Sequence, residues 1–226
     1  FGGVIIANND VGIDIYKPAD MPMFYGGNNH GSILEINDRW YIFYHRHTNG
    51  THFSRQACAE PIEIFPDGSI PQVEMTSCGL NGKPLIGRGE YPAYIACNLY
   101  CKTIAGYTGE PFLWMDNRFP KITQEGSDED KNIGYIENLR DGATAGFKYF
   151  ECENIQNISV TCRAGGGGRI EVLTEWDGVS IGEIPIGSTT EWMTYSAPIT
   201  ITDGVHALYF RYRGDTTVSL KSFELG

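Results

Sequence analysis

NNHGSILEINDRWYIFYHRHTNGTHFSRQACAEPIEIFPDGSI, residues 28–70, is the stretch that decides the fold. Residues 32–36 and 40–46 are rich in β-formers and flank Asn37-Asp38-Arg39, where Asn and Asp tolerate the positive φ of a tight hairpin turn. The run Trp40-Tyr41-Ile42-Phe43-Tyr44 is apolar on both faces, as expected of a strand enclosed by neighbours on two sides. Residues 56–65 read as a third strand, and Pro66-Asp67-Gly68 turns the chain into a fourth at 70–75. The pattern predicts one four-stranded up-and-down sheet, preceded by a lone strand at 4–7.

Working outward, composition supports an all-β chain. The 226 residues include 28 Gly, 11 Pro and 13 Tyr, with no amphipathic stretch of helical length. From Thr76 to about Tyr91 the composition shifts to Gly, Pro, Asn and Lys without periodicity, which reads as an ordered connector. Beyond it, strands are predicted at 145–153, 157–164, 169–176, 193–201, 206–212 and 218–225, about 8–12 residues apart, the spacing of a β-sandwich. Gly165 to Gly168 lacks the G-K-[ST] ending of a phosphate loop and reads as a hairpin turn, and Asp128-Glu129-Asp130 as a solvated loop.

Net charge is −11, about −5 before residue 76 and −6 after it, with no basic stripe. That excludes nucleic acid and anionic membrane as natural partners and favours a neutral ligand such as a polysaccharide. No apolar run approaches the roughly 20 residues that span a bilayer. The six cysteines lack C-x2-C spacing, so a zinc site is not expected. They read chiefly as small buried apolar residues, although Cys152 and Cys162 lie on neighbouring predicted strands and a disulfide between them stays open. The compartment stays open too, with secretion preferred to the cytoplasm.

The 28–70 stretch resembles the last blade of the five-bladed propeller of glycoside hydrolase family 43, the arabinofuranosidases, xylosidases and arabinanases. The second half resembles a family 6 carbohydrate-binding module, through NIGYIEN at 132–138, FKYFECENIQNISVTCRAGGGGRIEV at 147–172, EWMTY at 191–195, DGVHALYFRYRG at 203–214 and VSLKSFEL at 218–225. The implied fold is all-β: a partial five-bladed β-propeller at 1–75, a connector at 76–90 and a jelly-roll β-sandwich at 91–226. A ring of five blades needs on the order of 200 residues. The chain therefore reads as the C-terminal part of an enzyme whose N-terminal blades are its expected partner.

The resemblance implies inverting hydrolysis of α-L-arabinofuranosyl or β-D-xylosyl linkages in plant polysaccharide by the intact enzyme. Inversion needs two carboxyl groups roughly 6.5–9.5 Å apart. The family carries them in earlier blades, and Asp10, Asp14, Asp20, Glu35 and Glu60 stand in none of its catalytic contexts. No catalytic acid is therefore assigned, and the chain alone is expected to be inactive.

The resemblance places His30, at the start of the innermost strand, near a central calcium or its water shell; the alternative is a histidine that caps a turn. No acid cluster beside His30 supplies the six to eight oxygens calcium needs, so any metal there would be held by water or by other residues. Arg55 matches an arginine that reaches the sugar being cleaved, against the alternative of a solvated surface arginine. His45, His47 and His52 read as packing and solvent-facing residues rather than a metal cluster.

In the sandwich, Tyr135 and Trp192 match two aromatic platforms that grip a sugar, and Ser219 falls where the family has Asn. Ala96-Cys97-Asn98 and Lys221 replace the acids of the module's calcium site, so no calcium is expected there. The competing readings are a non-catalytic carbohydrate-binding protein and a structural module with a decayed cleft.

Overall fold

The computed structural model describes residues 2–8, 10–13, 18–24, 30–105, 113–127, 129–131 and 133–226. Asn28, Asn29, Asp14, Asp128 and Asn132, all named above, lie outside them. In chain order the strands are β1 (Met21–Pro22), β2 (Ser32–Ile36), β3 (Arg39–His47), β4 (Arg55–Ile62), β5 (Leu85–Ile86), β6 (Gly89–Pro92), β7 (Asn98–Cys101) and β8 (Lys121–Gln124). They continue as β9 (Gly134–Leu139), β10 (Thr144–Cys152), β11 (Asn157–Ala164), β12 (Gly168–Leu173), β13 (Ser180–Ile186), β14 (Thr189–Pro198), β15 (Gly204–Gly214) and β16 (Val218–Leu225). Short 3-10 turns at Gly79–Asn81, Ala93–Ile95 and Leu113–Met115 join some of them. The fold is all-β, as expected. Among the described residues no helix is long and apolar enough to cross a membrane.

Strands β2-β3-β4 form an antiparallel sheet of their own. Its β2–β3 turn places Asn37 and Asp38 at φ 51° and 59°, the left-handed geometry expected from those residues. Tyr41, Ile42 and Tyr44 are buried, while Ile33 and Leu34 on β2 are bare. Two expected strands are absent. The segments at 4–7 and 70–75 are extended loops joined by one backbone bond, Val73 N–H to the Ile5 carbonyl. Pro71 has no N–H to give a ladder. The side chains of this stretch are used elsewhere: Gln72 Nε2 donates to Asp10 Oδ2 and Glu74 pairs with Lys148.

The rest is a two-layer sandwich. One sheet runs β1-β7-β10-β15-β12-β13, with β5 parallel to β10; the other runs β14-β11-β16-β9-β8, with β6 on β16. β5 and β6 thus enter the sandwich sheets within the stretch read as connector. Phe147 and Phe210 from one sheet meet Phe223 from the other, with centroids 4.7–5.0 Å apart and exposures of 1 % or less. All six cysteines are free, Cys152 and Cys162 included.

The glycine run is not a hairpin. It carries the chain from β11 in one sheet to β12 in the other, because β11 pairs with β14 and β16 while β12 pairs with β13 and β15. A Cβ at Gly168 would stand 2.6 Å from the Arg213 carbonyl oxygen, so only glycine fits this arch.

Candidate carbohydrate sites

At the open end of the three-stranded sheet, period-two alternation along β3 aligns His45 with His47, and the β3–β4 pairing sets Arg55 opposite His47. His30 stands beside them, its ring 4.9 Å from that of His45. The file continues through His47 at 5.7 Å and His52 at 5.8 Å, with Trp114 5.4 Å from His47 and 5.0 Å from His52. Burial, then the charges of Arg55 and His30, push the His45 imidazole below its ordinary pKa, favouring the neutral form. Its Nε2 is buried without a hydrogen-bond partner. Sequence reasoning separated these histidines; the structure brings His30, His45 and Arg55 together.

The donor set near His30 is imidazole nitrogen, and calcium is bound by oxygen. The described residues around it do not fit a direct calcium site. Among the described residues no group of three or more His, Cys, Asp or Glu is arranged to hold a metal.

The outer face of the sandwich brings Tyr135, Trp192 and Ser219 to one place. Tyr135 lies on β9, Trp192 on β14, and Ser219 on β16 directly opposite Arg163 of β11. The two rings are 5.3 Å apart and nearly perpendicular at 73°. Arg163 fills the space they frame: its guanidinium carbon lies 5.2 Å from the Tyr135 centroid and 4.4 Å from that of Trp192. Glu125 fixes it there, 2.6 Å from Arg163 Nη1, while Trp192 Nε1 donates to the other carboxylate oxygen at 3.3 Å. Arg163 Nη2 donates to the Tyr135 hydroxyl at 3.2 Å.

Tyr135 is therefore buried rather than an open platform, and Trp192 is half-buried. Lys221, opposite in sign to the acid the module family carries there, lies 5.6 Å over the Trp192 ring. The sequence did signal Arg163 as outward-facing, since Ser159, Thr161 and Arg163 alternate with buried Ile158, Val160 and Cys162. Nothing along the chain told that Arg163 would lie between the two rings.

Two buried ionisable groups tie the regions together. Glu60 accepts from the Thr76 N–H and hydroxyl, each at 2.7 Å, and from the Tyr44 hydroxyl at 3.2 Å. Burial outweighs these donors and lifts its carboxyl to about 7. That value suits a general acid, but only 1 % of the residue is exposed and no substrate reaches it. Lys148, fully buried on β10, pairs with Glu74 at 2.8 Å and donates to the Val11 carbonyl; Tyr149 donates to the other Glu74 oxygen at 2.7 Å.

No family model matches the chain. It is 60% identical over 225 residues, its full length, to a xylosidase/arabinosidase of Thermoclostridium stercorarium, and spans about half (48%) of that relative. Among solved structures, it resembles a family 43 arabinoxylan arabinofuranohydrolase from Bacillus subtilis, solved with cellotetraose, at TM-score 0.58 and 18% identity over 89% of this chain and 41% of that one. CsCBM6-3 from Clostridium stercorarium, solved with cellobiose, matches at TM-score 0.50 and 17% identity over 64% of this chain and 98% of that module. The resemblance read from the sequence is upheld: the chain is a homologue of a xylosidase/arabinosidase and shares its folds with a family 43 enzyme and a family 6 module.

Proposed function

We propose that this chain is the blade-and-sandwich part of a glycoside hydrolase that cleaves α-L-arabinofuranosyl or β-D-xylosyl linkages of plant polysaccharide with inversion. The single observation that carries this reading is the 60% identity, along the whole chain, to a xylosidase/arabinosidase. In it, residues 1–75 complete the propeller, residues 76–90 connect, and residues 91–226 dock polysaccharide. The catalytic acids come from outside this chain. Its buried blade carboxyl, Glu60, is consumed by Thr76 and Tyr44.

Arg55 and His30 face the pocket for the sugar being cleaved, Arg55 donating its planar fork to hydroxyls. A neutral His45 beside them spares the pocket a second cation. Calcium at the propeller centre of the intact enzyme contacts this chain only through the water shell at His30, and the sandwich holds none. In the sandwich cleft, Trp192 and Ser219 receive the sugar, with Arg163 and the buried Tyr135 as the floor beneath it.

The test is a titration of the purified chain, followed by tryptophan fluorescence, with xylo- and arabinoxylo-oligosaccharides. Saturable binding lost in Trp192→Ala, together with no hydrolysis by the chain alone, is the expected result. Turnover by the pure chain overturns the assignment of the acids elsewhere. One observation favours a second reading, a structural module with a decayed cleft: Arg163 already occupies the space between the two rings. On that reading no sugar binds at millimolar concentration, while Arg163→Ala leaves the fold intact.

A further inference from the structure

Between the β3–β4 loop and the sandwich lies a trough of about 700 Å³, within the size range of small-molecule sites. Its walls carry hydroxyl and amide groups, among them Thr48, Thr51 and Ser54 from the loop and Thr123 and Gln124 from β8. Charge is balanced, with Arg55 and Asp130 among its lining. On its rim stands Phe53, 93 % exposed, a ring with no packing role. A neutral, hydroxyl-rich trough with one bare aromatic face matches the chemistry of a sugar chain, whose C–H faces stack on rings while its hydroxyls seek hydrogen bonds.

The trough is preformed. The Asn49 N–H donates to the Ile122 carbonyl at 2.8 Å, joining the loop to β8. Arg46 donates to the carbonyls of Ala96 and Tyr94, and Gln56 Nε2 to Tyr94 at 3.1 Å. Tyr94 packs over Gly134, where a Cβ would come within 2.6 Å of its ring. His52 against Trp114 props the loop from beneath. A ligand entering here orders little of the protein, which favours affinity.

β8 also links the trough to the cleft. Thr123 is the register partner of Tyr135, and Gln124 in the trough is followed by Glu125, which holds Arg163 and Trp192. Arg55 lies at the other side of the trough. The geometry points to a third carbohydrate site: a subsite for a neutral β-linked pentose chain that runs from the blade pocket at Arg55, over Phe53 and β8, to the sandwich cleft. The route to the cleft rests on the reading proposed above; the trough and Phe53 stand without it.

The experiment is calorimetric titration of the chain with xylobiose through xylohexaose, using wild type, Phe53→Ala, Thr123→Val and Trp192→Ala. Phe53 and Thr123 lie on opposite walls, and Phe53 is too exposed for its loss to disturb folding. Wild-type affinity is expected to climb with chain length, and Phe53→Ala and Thr123→Val each to lose about tenfold at xylohexaose while leaving xylobiose unchanged. Trp192→Ala is expected to weaken every length. A wild-type affinity that stops rising at the shortest sugars, or trough variants that match wild type throughout, overturns the trough. If Trp192→Ala binds like wild type while Phe53→Ala weakens binding, the cleft reading fails and the trough stands. No binding at any length overturns both.

Discussion

The three-stranded sheet and the sandwich are made of the same kinds of residue but bury them differently. In the sandwich two sheets face each other, so Phe147, Phe210 and Phe223 find partners within their own module. In the blade sheet Tyr41, Ile42 and Tyr44 of β3 are covered, yet Trp40 of β3 and Ile33 and Leu34 of β2 are exposed, against the enclosure expected of the whole run 40–44. The blade sheet joins the rest through Tyr44, which enters the buried apolar cluster of the sandwich, and through a polar seam: Arg46 on the backbone of 94–96, Glu60 on Thr76, Arg39 on the Gly82 carbonyl at 2.9 Å. The difference teaches that the sandwich rests on buried area alone, while the blade adds a seam of hydrogen bonds to a smaller apolar contact, so the two should respond to different perturbations.

The largest effect should come from the sandwich core. Phe223→Ala is expected to cost about 4 kcal/mol in chemical denaturation, since the cavity is enclosed on both sides. A cost below about 1 kcal/mol would mean the core relaxes freely and the contrast with the blade is overstated.

Next comes pH, which acts on the blade through Glu60. Its carboxyl sits at about 7 when folded, above the ordinary 4.5, so between those values the folded chain retains a proton that the unfolded chain has released. The Glu60 contribution is therefore most favourable below about pH 4.5, declines as pH rises, and levels off above 7, a change on the order of 3 kcal/mol. Comparing wild type with Glu60→Gln across that window isolates it; parallel stability curves would show that Glu60 does not titrate there.

Smaller again, Arg46→Ala removes the donors to Tyr94 and Ala96 and is expected to cost about 2 kcal/mol. It should also raise amide exchange near the trough more than in the sandwich core, where equal exchange would contradict a polar seam. The smallest effect is expected at Leu34→Ser, within about 0.5 kcal/mol, because the side chain is already exposed. A larger loss of thermal stability would show that the β2 face is covered by something in solution, such as a second copy.

Local signals made much of this legible in the sequence. Asn37-Asp38 marked the first turn, and runs of β-formers between turn signals marked most of the strands. Long-range meetings were not legible. Lys148 sits in the apolar run of β10 with its partner Glu74 on a distant loop, a pairing that no local pattern announces. The strand expected at 70–75 does not form: Pro71 lacks an N–H for a ladder, and the segment's side chains reach Asp10 and Lys148 across the fold. Tyr135 and Trp192 were found as a pair, but the cation between them came from a third strand.

Arg46 has a consequence for how two modules of this kind can be exchanged. Its guanidinium, rooted in the blade, serves backbone carbonyls of the sandwich, so the boundary between the modules is a weld and not a tether. A recombination event that swapped the sandwich alone would strand that cation against a foreign loop. An incoming sandwich would have to offer backbone carbonyls where Tyr94 and Ala96 stand for the weld to survive the exchange.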